Sequence, residues 1–320
     1  MYSLRRFYLS AAYAVSFELV YKGTVNKMRS EKEMLEIIIS AAETDPMIES
    51  AFLCGSRAAP SAVKDIYQDY DVEYYVKDIK PYWNNKAWLE SLFGKILILQ
   101  TPDIMDDPSL TAETGSKFTY LCIYEDGVRI DLTVRSAPFA DNGEPYIVLL
   151  DKSGKLLKAR YGDESIYHVR RPSQTEFSNC CNEFWWCLNN VAKGIARDEI
   201  PYAMAMLNEP VRDMLNKMLG YYIGTLTDFS VSIGKMGKYL KRYLPENIYA
   251  KYLKTYPVGN AERIWTAVIA ACKLFSDVAK ITAGDLGLEY NIDEENGARR
   301  YIIGVRDGEY THTAADYTDS

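Results

Sequence analysis

The spacing of apolar residues changes at Pro172, and this change limits the chain to two different kinds of structure. Before Pro172, short apolar runs separated by turn residues are typical of strands. After it, apolar residues recur at helical spacing, with breaks near Gly194, Gly224 and Pro257. The predicted helices span residues 173–196, 199–223, 233–254 and 260–283. We therefore expect an α+β protein in which a mixed sheet with helices is followed by an all-α helical bundle.

The part before Pro172 contains one well-marked helix and three short strands. Ser30-x-x-Glu33 is a capping box, in which the hydroxyl and the carboxylate each bind a backbone amide where a helix starts. Asp45-Pro46 ends that helix. The predicted strands are residues 50–54, 71–76 and 95–100.

A β-hairpin is predicted for residues 118–134. Two runs rich in aromatic and β-branched residues flank Asp126-Gly127, a dipeptide that favours a tight turn with positive φ. In the second strand the side chains alternate, so Arg129, Asp131 and Thr133 share one face. The apolar residues between them share the other face, and we expect that face to pack on the helix.

The chain divides into four parts. Its net charge is −7, of which residues 1–27 contribute +3 and the remainder −10. The basic start resembles a signal peptide, but Glu18 interrupts the apolar part and no clean cleavage site follows. We expect a dispensable extension before Met28, followed by three further parts. These are an α/β domain (28–160), a helical domain (161–306) and a loose polar tail (307–320).

Charge and apolar content disfavour several classes of partner. An acidic chain repels a phosphate backbone, so nucleic acid is disfavoured and cationic ligands are favoured. No apolar run approaches the roughly 20 residues of a membrane-spanning helix, so no membrane partner is expected. None of the six cysteines forms a Cys-x-x-Cys pair, which favours free thiols in a reducing cytoplasm. We expect a monomer or a weak homodimer.

The histidine and cysteine content restricts the chemistry. His168 and His312 are the only histidines and lie far apart in the sequence. A Cys/His zinc site and a histidine-based triad are therefore disfavoured. A general base would be a carboxylate, a tyrosine or a lysine, and a metal would be a hard, oxygen-bound ion such as Mg²⁺.

Three aspartates form the main candidate site. Asp69 and Asp71 stand two residues apart where a strand begins, so an extended chain places both carboxylates on one face. Two close carboxylates repel each other, and a divalent cation relieves that repulsion. If the strand of Asp131 lies beside them, three carboxylates converge in a way that suits two-metal displacement at phosphorus.

A second part of the candidate site directly follows the first strand. Gly55 permits close approach of a ligand to the backbone, and Ser56 and Arg57 can bind phosphate oxygens. Taken singly, Gly-Ser is also typical of a simple turn, and Asp-x-Asp of a solvated strand end. The order and spacing of the pieces favour a functional site.

The helical half carries basic residues that could bind phosphate. Lys235, Lys238, Lys241 and Arg242 are predicted to share one helix face, with Gly234 at the helix start. The alternative for the last three is a solvated face. Lys193 is open to two interpretations, a phosphate contact or an ordinary contact with the carboxyl end of its helix.

The order of these motifs resembles the nucleotidyltransferase superfamily that includes DNA polymerase β, and more closely the aminoglycoside 6-adenylyltransferases that inactivate streptomycin. The resemblance extends from Met28 to about residue 290. In the first half it rests on Met28-Arg-Ser-Glu, Gly55-Ser-Arg57, Gln68-Asp-Tyr-Asp-Val72, Trp88-Leu-Glu90, Phe93-Gly-Lys95 and Arg129-Ile-Asp-Leu-Thr133. In the second half it rests on Arg171-Pro172, Cys180-Cys-Asn-Glu-Phe-Trp185, Lys193-Gly194, Leu207-Asn-Glu209 and Gly234-Lys235.

The resemblance implies a role for each matching residue. Asp69 and Asp71 would hold Mg²⁺, with two ions expected, together with the triphosphate of ATP. Asp131 would assist the metal and take the proton from the antibiotic hydroxyl. Ser56 and Arg57 would contact the triphosphate. The family reaction transfers AMP from MgATP to a hydroxyl of streptomycin, at position 6, and releases pyrophosphate, which gives antibiotic resistance.

An aminoglycoside is a cationic polyol, whose site needs carboxylates for its charges and aromatic rings for its sugar faces. The candidates are Glu183, Trp185, Trp186 and Glu209 in the second half, and Trp83 and Trp88 in the first. Neighbours on a helix point about 100° apart, so at least one tryptophan of the Trp185-Trp186 pair is expected in the core.

Two alternative functions remain open on the sequence. One keeps the chemistry but changes the acceptor to another aminoglycoside, a lincosamide or a protein side chain. The other is a catalytically silent nucleotide-binding module that acts as a sensor or antitoxin partner. The presence of Asp69, Asp71 and Asp131 together argues against the silent module, and the acidic charge argues against a polymerase.

Overall fold

The computed structural model describes residues 27–140, 143–154, 156 and 164–310. Nearly all of the predicted extension and the chain from residue 311 lie outside the described residues. Two compact units are formed, one up to Ile166 and one from Tyr167. Among the helices of the described part, none is long and apolar enough to cross a membrane.

The first unit contains a mixed sheet of six strands. The strands are β1 (Ile48–Cys54), β2 (Tyr70–Val76), β3 (Ile96–Gln100), β4 (Lys117–Tyr124), β5 (Arg129–Arg135) and β6 (Tyr146–Asp151). Their order across the sheet is β3-β4-β5-β2-β1-β6. β2 and β5 pair in parallel, and the other neighbouring pairs are antiparallel. The predicted hairpin is β4–β5, and the predicted strands at 50–54, 71–76 and 95–100 are confirmed.

Short helices surround this sheet. They are α1 (Glu31–Thr44), α2 (Gly55–Ala58), α3 (Lys86–Phe93) and α4 (Pro102–Asp106), with single 3₁₀ turns at Lys80–Tyr82 and Glu164–Tyr167. The predicted capping box of Ser30 and Glu33 is present at the start of α1. Arg29, just before α1, forms an ion pair of 2.6 Å with Asp126 in the β4–β5 turn. This ion pair connects the start of α1 to that turn.

The two faces of the sheet differ in polarity because side chains alternate along each strand. Val72 and Leu132 belong to the core formed with Met34 of α1 and Leu89 of α3. The burial of β5 alternates from residue to residue, with Ile130, Leu132 and Val134 buried. The opposite face of β2 and β5 therefore carries the polar residues between them.

The second unit is all helical. Its helices are α5 (Gln174–Ala196), α6 (Ile200–Met206), α7 (Arg212–Thr227), α8 (Leu240–Tyr243), α9 (Glu246–Leu253), α10 (Ala261–Leu286) and α11 (Ile292–Asp307). A π-helical segment, Leu207–Val211, joins α6 to α7. Phe184 of α5 stacks on Phe275 of α10 within the core, with ring centroids 3.7 Å apart.

The helix predicted for residues 173–196 and the break after it, near Gly194, are confirmed, since α5 ends at Ala196 and α6 begins at Ile200. One prediction for this unit is wrong. Residues 233–254 do not form one helix. Gly234, Met236 and Gly237 have φ values of 71°, 55° and 75°, in the left-handed region that an α-helix cannot contain. The segment consists of a 3₁₀ turn (Lys235–Gly237) and the separate helices α8 and α9.

Candidate active site

The parallel pairing of β2 with β5 brings two of the predicted carboxylates together. Asp71 and Asp131 are direct partners in the register of the two strands. Both occupy the polar face, because the residues on either side of them belong to the core. Asp69 immediately precedes β2, two residues before Asp71. The condition that the strand of Asp131 lies beside the Asp69–Asp71 segment is therefore met.

The electrostatics of Asp71 reflect this crowding. Burial of the carboxyl group raises the pKa of Asp71, and the negative charges of Asp131 and Asp69 raise it further, to about 6. The ordinary value is 3.8. A carboxyl group in such a position gains from any cation placed beside it, because the cation offsets both the burial and the repulsion.

Gly55 allows the turn after β1 to approach Asp71 closely. Its φ is 61°, a conformation that favours glycine. A Cβ at this position would collide with the Asp71 carboxylate. The glycine is therefore required by the backbone conformation and by the space that Asp71 occupies.

Arg129 is a component of the site to which the sequence assigned no role. Its guanidinium donates to both oxygens of Asp131, with Nε–Oδ1 at 2.9 Å and Nη2–Oδ2 at 2.7 Å. Nη1 lies 3.5 Å from Oδ2 of Asp69. The sequence signal was its position two residues before Asp131 on the same strand face.

The donor chemistry of the site fits a hard divalent cation. Asp69, Asp71 and Asp131 provide carboxylate oxygens, which Mg²⁺ prefers. Burial is the main cause of the raised pKa of Asp71, and the charges of Asp131 and Asp69 add to it although Arg129 lowers it. In the described chain, no three carboxylate, histidine or cysteine side chains are grouped closely enough to form a ready set of metal ligands. The three aspartates could therefore provide oxygen ligands to a cation, but in the described residues they do not form a complete ligand set.

The triphosphate contact predicted for Arg57 is not supported. The Arg57 side chain is only 8% exposed, and its guanidinium is engaged with the protein. It donates to the carbonyl oxygens of Gln68 and Asp69 and lies over the ring of Tyr70. Ser56 is more accessible, and its hydroxyl oxygen lies 3.3 Å from Nε2 of Gln68.

A cavity of about 480 Å³ lies beside Asp69 in the first unit. Its walls include Ser30, Lys64, Gln68 and Arg129, so both charge signs and neutral hydrogen-bonding groups face it. This volume is within the range of small-molecule sites.

The tryptophans of the first unit do not lie near the carboxylates. Trp88 packs edge-to-face on Tyr82 with ring centroids 4.9 Å apart, and Trp83 packs on Phe118 at 4.6 Å. Both tryptophans border the core on the opposite face of the sheet. A substrate contact by Trp83 or Trp88 is therefore not supported.

In the second unit, the two neighbouring tryptophans of α5 have different surroundings. Trp185 is 2% exposed, and its indole N–H donates to the hydroxyl of Tyr290 at 3.2 Å. Trp186 is 66% exposed. The expectation that one of the pair belongs to the core is confirmed, and Trp186 is the one whose ring is mostly exposed.

Trp186 and Lys193 line a cavity of about 410 Å³ between α5 and α11. The other residues of its wall are Asn182, Trp185, Asn189, Asn190, Glu294, Ala298 and Tyr301. An exposed indole, three amides and one group of each charge form a surface suited to a polar ligand with ring faces.

The other predicted contacts of the second unit are exposed but lie outside the walls of this cavity. Glu183 is on α5 and lies 3.2 Å from the Sγ of Cys187. Glu209 is in the π-helical segment. Lys235 is exposed in the 3₁₀ turn after Gly234, so the helix start expected there is absent. Lys238 follows that turn, whereas Lys241 and Arg242 are on α8, and the four basic residues share no helix face.

Comparisons with known proteins agree with this arrangement of motifs. The sequence model of the streptomycin adenylyltransferase family matches residues 28–305. The chain is 36% identical to an aminoglycoside 6-adenylyltransferase of Bacillus subtilis (strain 168), over 87% of this chain and 98% of that protein. It is 34% identical to one of Campylobacter jejuni, over 86% and 96%.

A solved structure is also similar in sequence. The crystal structure of an aminoglycoside 6-adenyltransferase from Bacillus subtilis is 31% identical and aligns with 87% of this chain and 99% of its own, with a TM-score of 0.44.

Proposed function

The chain belongs to the streptomycin adenylyltransferase family and is a nucleotidyltransferase, and from this premise we propose that it transfers AMP from MgATP to a hydroxyl of streptomycin. The acceptor hydroxyl is the one at position 6, as the names of the relatives indicate for those proteins. The products are adenylylated antibiotic and pyrophosphate.

The observation that carries the proposal is the pairing of Asp71 with Asp131 in register, beside Asp69 and against Gly55. Asp69 and Asp71 would hold Mg²⁺, which offsets the charge of the triphosphate and of the pentavalent transition state. The raised pKa of Asp71 supports this role, because burial and the neighbouring charges of Asp131 and Asp69 both disfavour an ionised carboxylate that has no cation beside it.

Asp131 is the proposed general base. It takes the proton of the acceptor hydroxyl as the hydroxyl oxygen bonds to the α-phosphorus, and the bond from that phosphorus to pyrophosphate breaks. Arg129 holds both oxygens of Asp131, so the base is oriented before substrate arrives. Catalysis then comes mostly from positioning and from neutralised charge.

The residues proposed to contact the phosphates are Gly55, Ser56, Lys193 and Lys235. Gly55 and Ser56 provide backbone and hydroxyl groups next to Asp71. Lys235 and Lys193 provide exposed or half-exposed ammonium groups for phosphate oxygens. For Lys235 the support is its exposed position between two glycines of positive φ, in place of the expected helix start.

The proposed antibiotic contacts are in the second unit. The exposed ring of Trp186 can lie against a sugar face, and the amides of Asn182 and Asn189 can bind hydroxyl groups. Carboxylates for the guanidinium and ammonium groups are available at Glu183, Glu209 and Glu294. Trp186 replaces Trp185 in this role, because Trp185 is buried. The six thiols are all free, which fits the proposed cytoplasmic location.

A panel experiment tests the proposal. Purified protein with MgATP is offered streptomycin, a second aminoglycoside and a lincosamide, and each acceptor is analysed by mass. We expect one adenylyl group on streptomycin and none in the absence of ATP. Addition to a different acceptor would reassign the substrate. No addition to any acceptor, together with ATP binding, would favour the silent nucleotide-binding module.

A further inference from the structure

The turn after β1 and the segment before β2 are bound to each other by two side chains that reach in opposite directions. Arg57 Nε donates to the carbonyl oxygen of Asp69 at 3.0 Å, and Nη2 donates to that of Gln68 at 2.8 Å. In return, Gln68 Nε2 lies 3.4 Å from the carbonyl oxygen and 3.3 Å from the hydroxyl of Ser56. The ten residues between Arg57 and Gln68 thus form a loop closed at its base.

The remaining surfaces of the Arg57 guanidinium are also occupied. Its Cζ atom lies 3.7 Å from the ring centroid of Tyr70, which places the planar group over the aromatic face. Nη1 lies 3.5 Å from a carboxylate oxygen of Glu31. All three nitrogens therefore have protein partners, and the side chain is 8% exposed.

We propose that Arg57 is a positioning residue, which fixes the main chain from Gln68 to Tyr70 and thereby holds the Asp69 carboxylate where the nucleotide-bound cation is taken up. This inference rests on the proposed function of the site. A planar, five-donor group is needed, because it must bind two successive carbonyl oxygens and cover a ring at once. Lysine has the same charge but neither the fork nor the flat face.

The test uses the full chain without nucleotide and compares Arg57→Lys with wild type. We expect faster amide hydrogen exchange at residues 68–71, while exchange in the helical unit stays unchanged. Mn²⁺, used as a paramagnetic substitute for Mg²⁺, should bind about 10-fold more weakly. In the transfer assay, kcat should fall and the Mg²⁺ concentration for half-maximal rate should rise.

Lys64→Gln is the matched control. Lys64 lines the same cavity and lies 3.9 Å from the same Glu31 oxygen, but it is 72% exposed. Its removal takes one positive charge from this surface and leaves the loop closed, so exchange and Mn²⁺ affinity should match wild type. Gln68→Ala opens the reciprocal contact and should reproduce the effect of Arg57→Lys in weaker form, even if Arg57→Lys does not fold.

Two results would overturn the inference. One is wild-type exchange at residues 68–71 and wild-type Mn²⁺ affinity in both Arg57→Lys and Gln68→Ala. The other is weaker ATP binding by Arg57→Lys in the presence of a chelator, since a direct phosphate contact needs no metal. If exchange and Mn²⁺ binding change as expected but streptomycin is not adenylylated by wild type, the positioning role stands and the proposed function fails.

Discussion

Arg129 and Asp131 are joined by two hydrogen bonds along one face of β5, and the same guanidinium lies 3.5 Å from Asp69. One side-chain cation thus serves two of the three carboxylates that are proposed to act on MgATP. A divalent cation entering the site meets carboxylates that are already partly neutralised. In the proposed mechanism, Arg129 both orients Asp131 and competes with the metal ion for the negative charge of the carboxylates.

Because Arg129 competes with the metal ion, we expect Arg129→Gln to strengthen metal binding and to slow catalysis. Without nucleotide, Mn²⁺ should bind more tightly, by about threefold to tenfold, because repulsion among the carboxylates increases. The kcat for transfer should fall, because Asp131 loses its orientation. Calorimetry and initial rates measure the two effects. Arg135→Gln is the control, since Arg135 binds Glu73 on the same sheet face. Weaker Mn²⁺ binding by Arg129→Gln alone would contradict this account.

Lys235→Ala should affect the nucleotide more than the antibiotic. A phosphate contact made in both the ground state and the transition state raises the KM for ATP more than it lowers kcat. The affinity for streptomycin without nucleotide should remain unchanged. Lys241→Ala, on the separate helix α8, is the control for charge alone. If Lys235→Ala weakens the binding of streptomycin and leaves the binding of ATP unchanged, the nucleotide contact is assigned to the wrong residue.

Substitutions at the two tryptophans of α5 should have different effects, one on streptomycin binding and the other on the stability of the fold. Trp186→Ala is expected to lower the affinity for streptomycin about tenfold, because an exposed ring is lost, with little change in melting temperature. Trp185→Phe should lower the melting temperature, because it removes the bond to Tyr290 from the core, and should leave streptomycin affinity close to wild type. Titration calorimetry and thermal unfolding distinguish these outcomes. If Trp186→Ala left the affinity for streptomycin unchanged and Trp185→Phe lowered it, the exposed ring would not be a ligand contact.

Glu295 should make stability depend on pH. Burial alone would raise the pKa of Glu295, but hydrogen bonds from Lys280, Ser276, Arg299 and Tyr290 lower it to about 2 from an ordinary value of 4.5. Because the pKa of Glu295 is lower in the folded protein, ionised Glu295 stabilises the fold at pH values above 4.5, the pKa expected in the unfolded chain. That stabilisation is lost as pH falls from 4.5 towards 2.

The variant Glu295→Gln tests this dependence. It should be less stable than wild type by about 1–3 kcal/mol near neutral pH, and the difference should shrink as the pH is lowered through that window. Urea unfolding at a series of pH values measures it, with Asp285→Asn, an exposed carboxylate of α10, as control. A difference that does not change with pH would contradict the assignment.

The features predicted correctly from sequence are those set by local patterns. The capping box of Ser30 and the alternation around Asp131 each depend on residues within a few positions, and both are present. The pairing of Asp71 with Asp131 was conditional on strand order, because sequence spacing alone does not determine which strands become neighbours.

The features missed depend on contacts between distant residues or on backbone conformation. The protein partners of Arg57 could not be predicted, because the carbonyl oxygens that it binds lie across a loop of ten residues. Met236 has a positive φ that its residue type does not suggest, so the segment after Gly234 was predicted as helix. β6 and α11 were not predicted. The first turn of α11, with Asp293 and Glu294, lacks a strong apolar stripe, and its burial comes from packing on α5.

The central claim is that the carboxylates of β2 and β5 transfer AMP to streptomycin. ATP labelled with radioactive phosphorus at the α position is incubated with Mg²⁺, streptomycin and either wild-type protein, Asp71→Asn or Glu73→Gln. Glu73 is the control, because it is on the same strand face but paired with Arg135. The account predicts labelled streptomycin with wild type and Glu73→Gln and a loss of at least about 100-fold with Asp71→Asn in a folded protein. Equal labelling by Asp71→Asn and wild type, or no labelling of streptomycin by wild type, would contradict it.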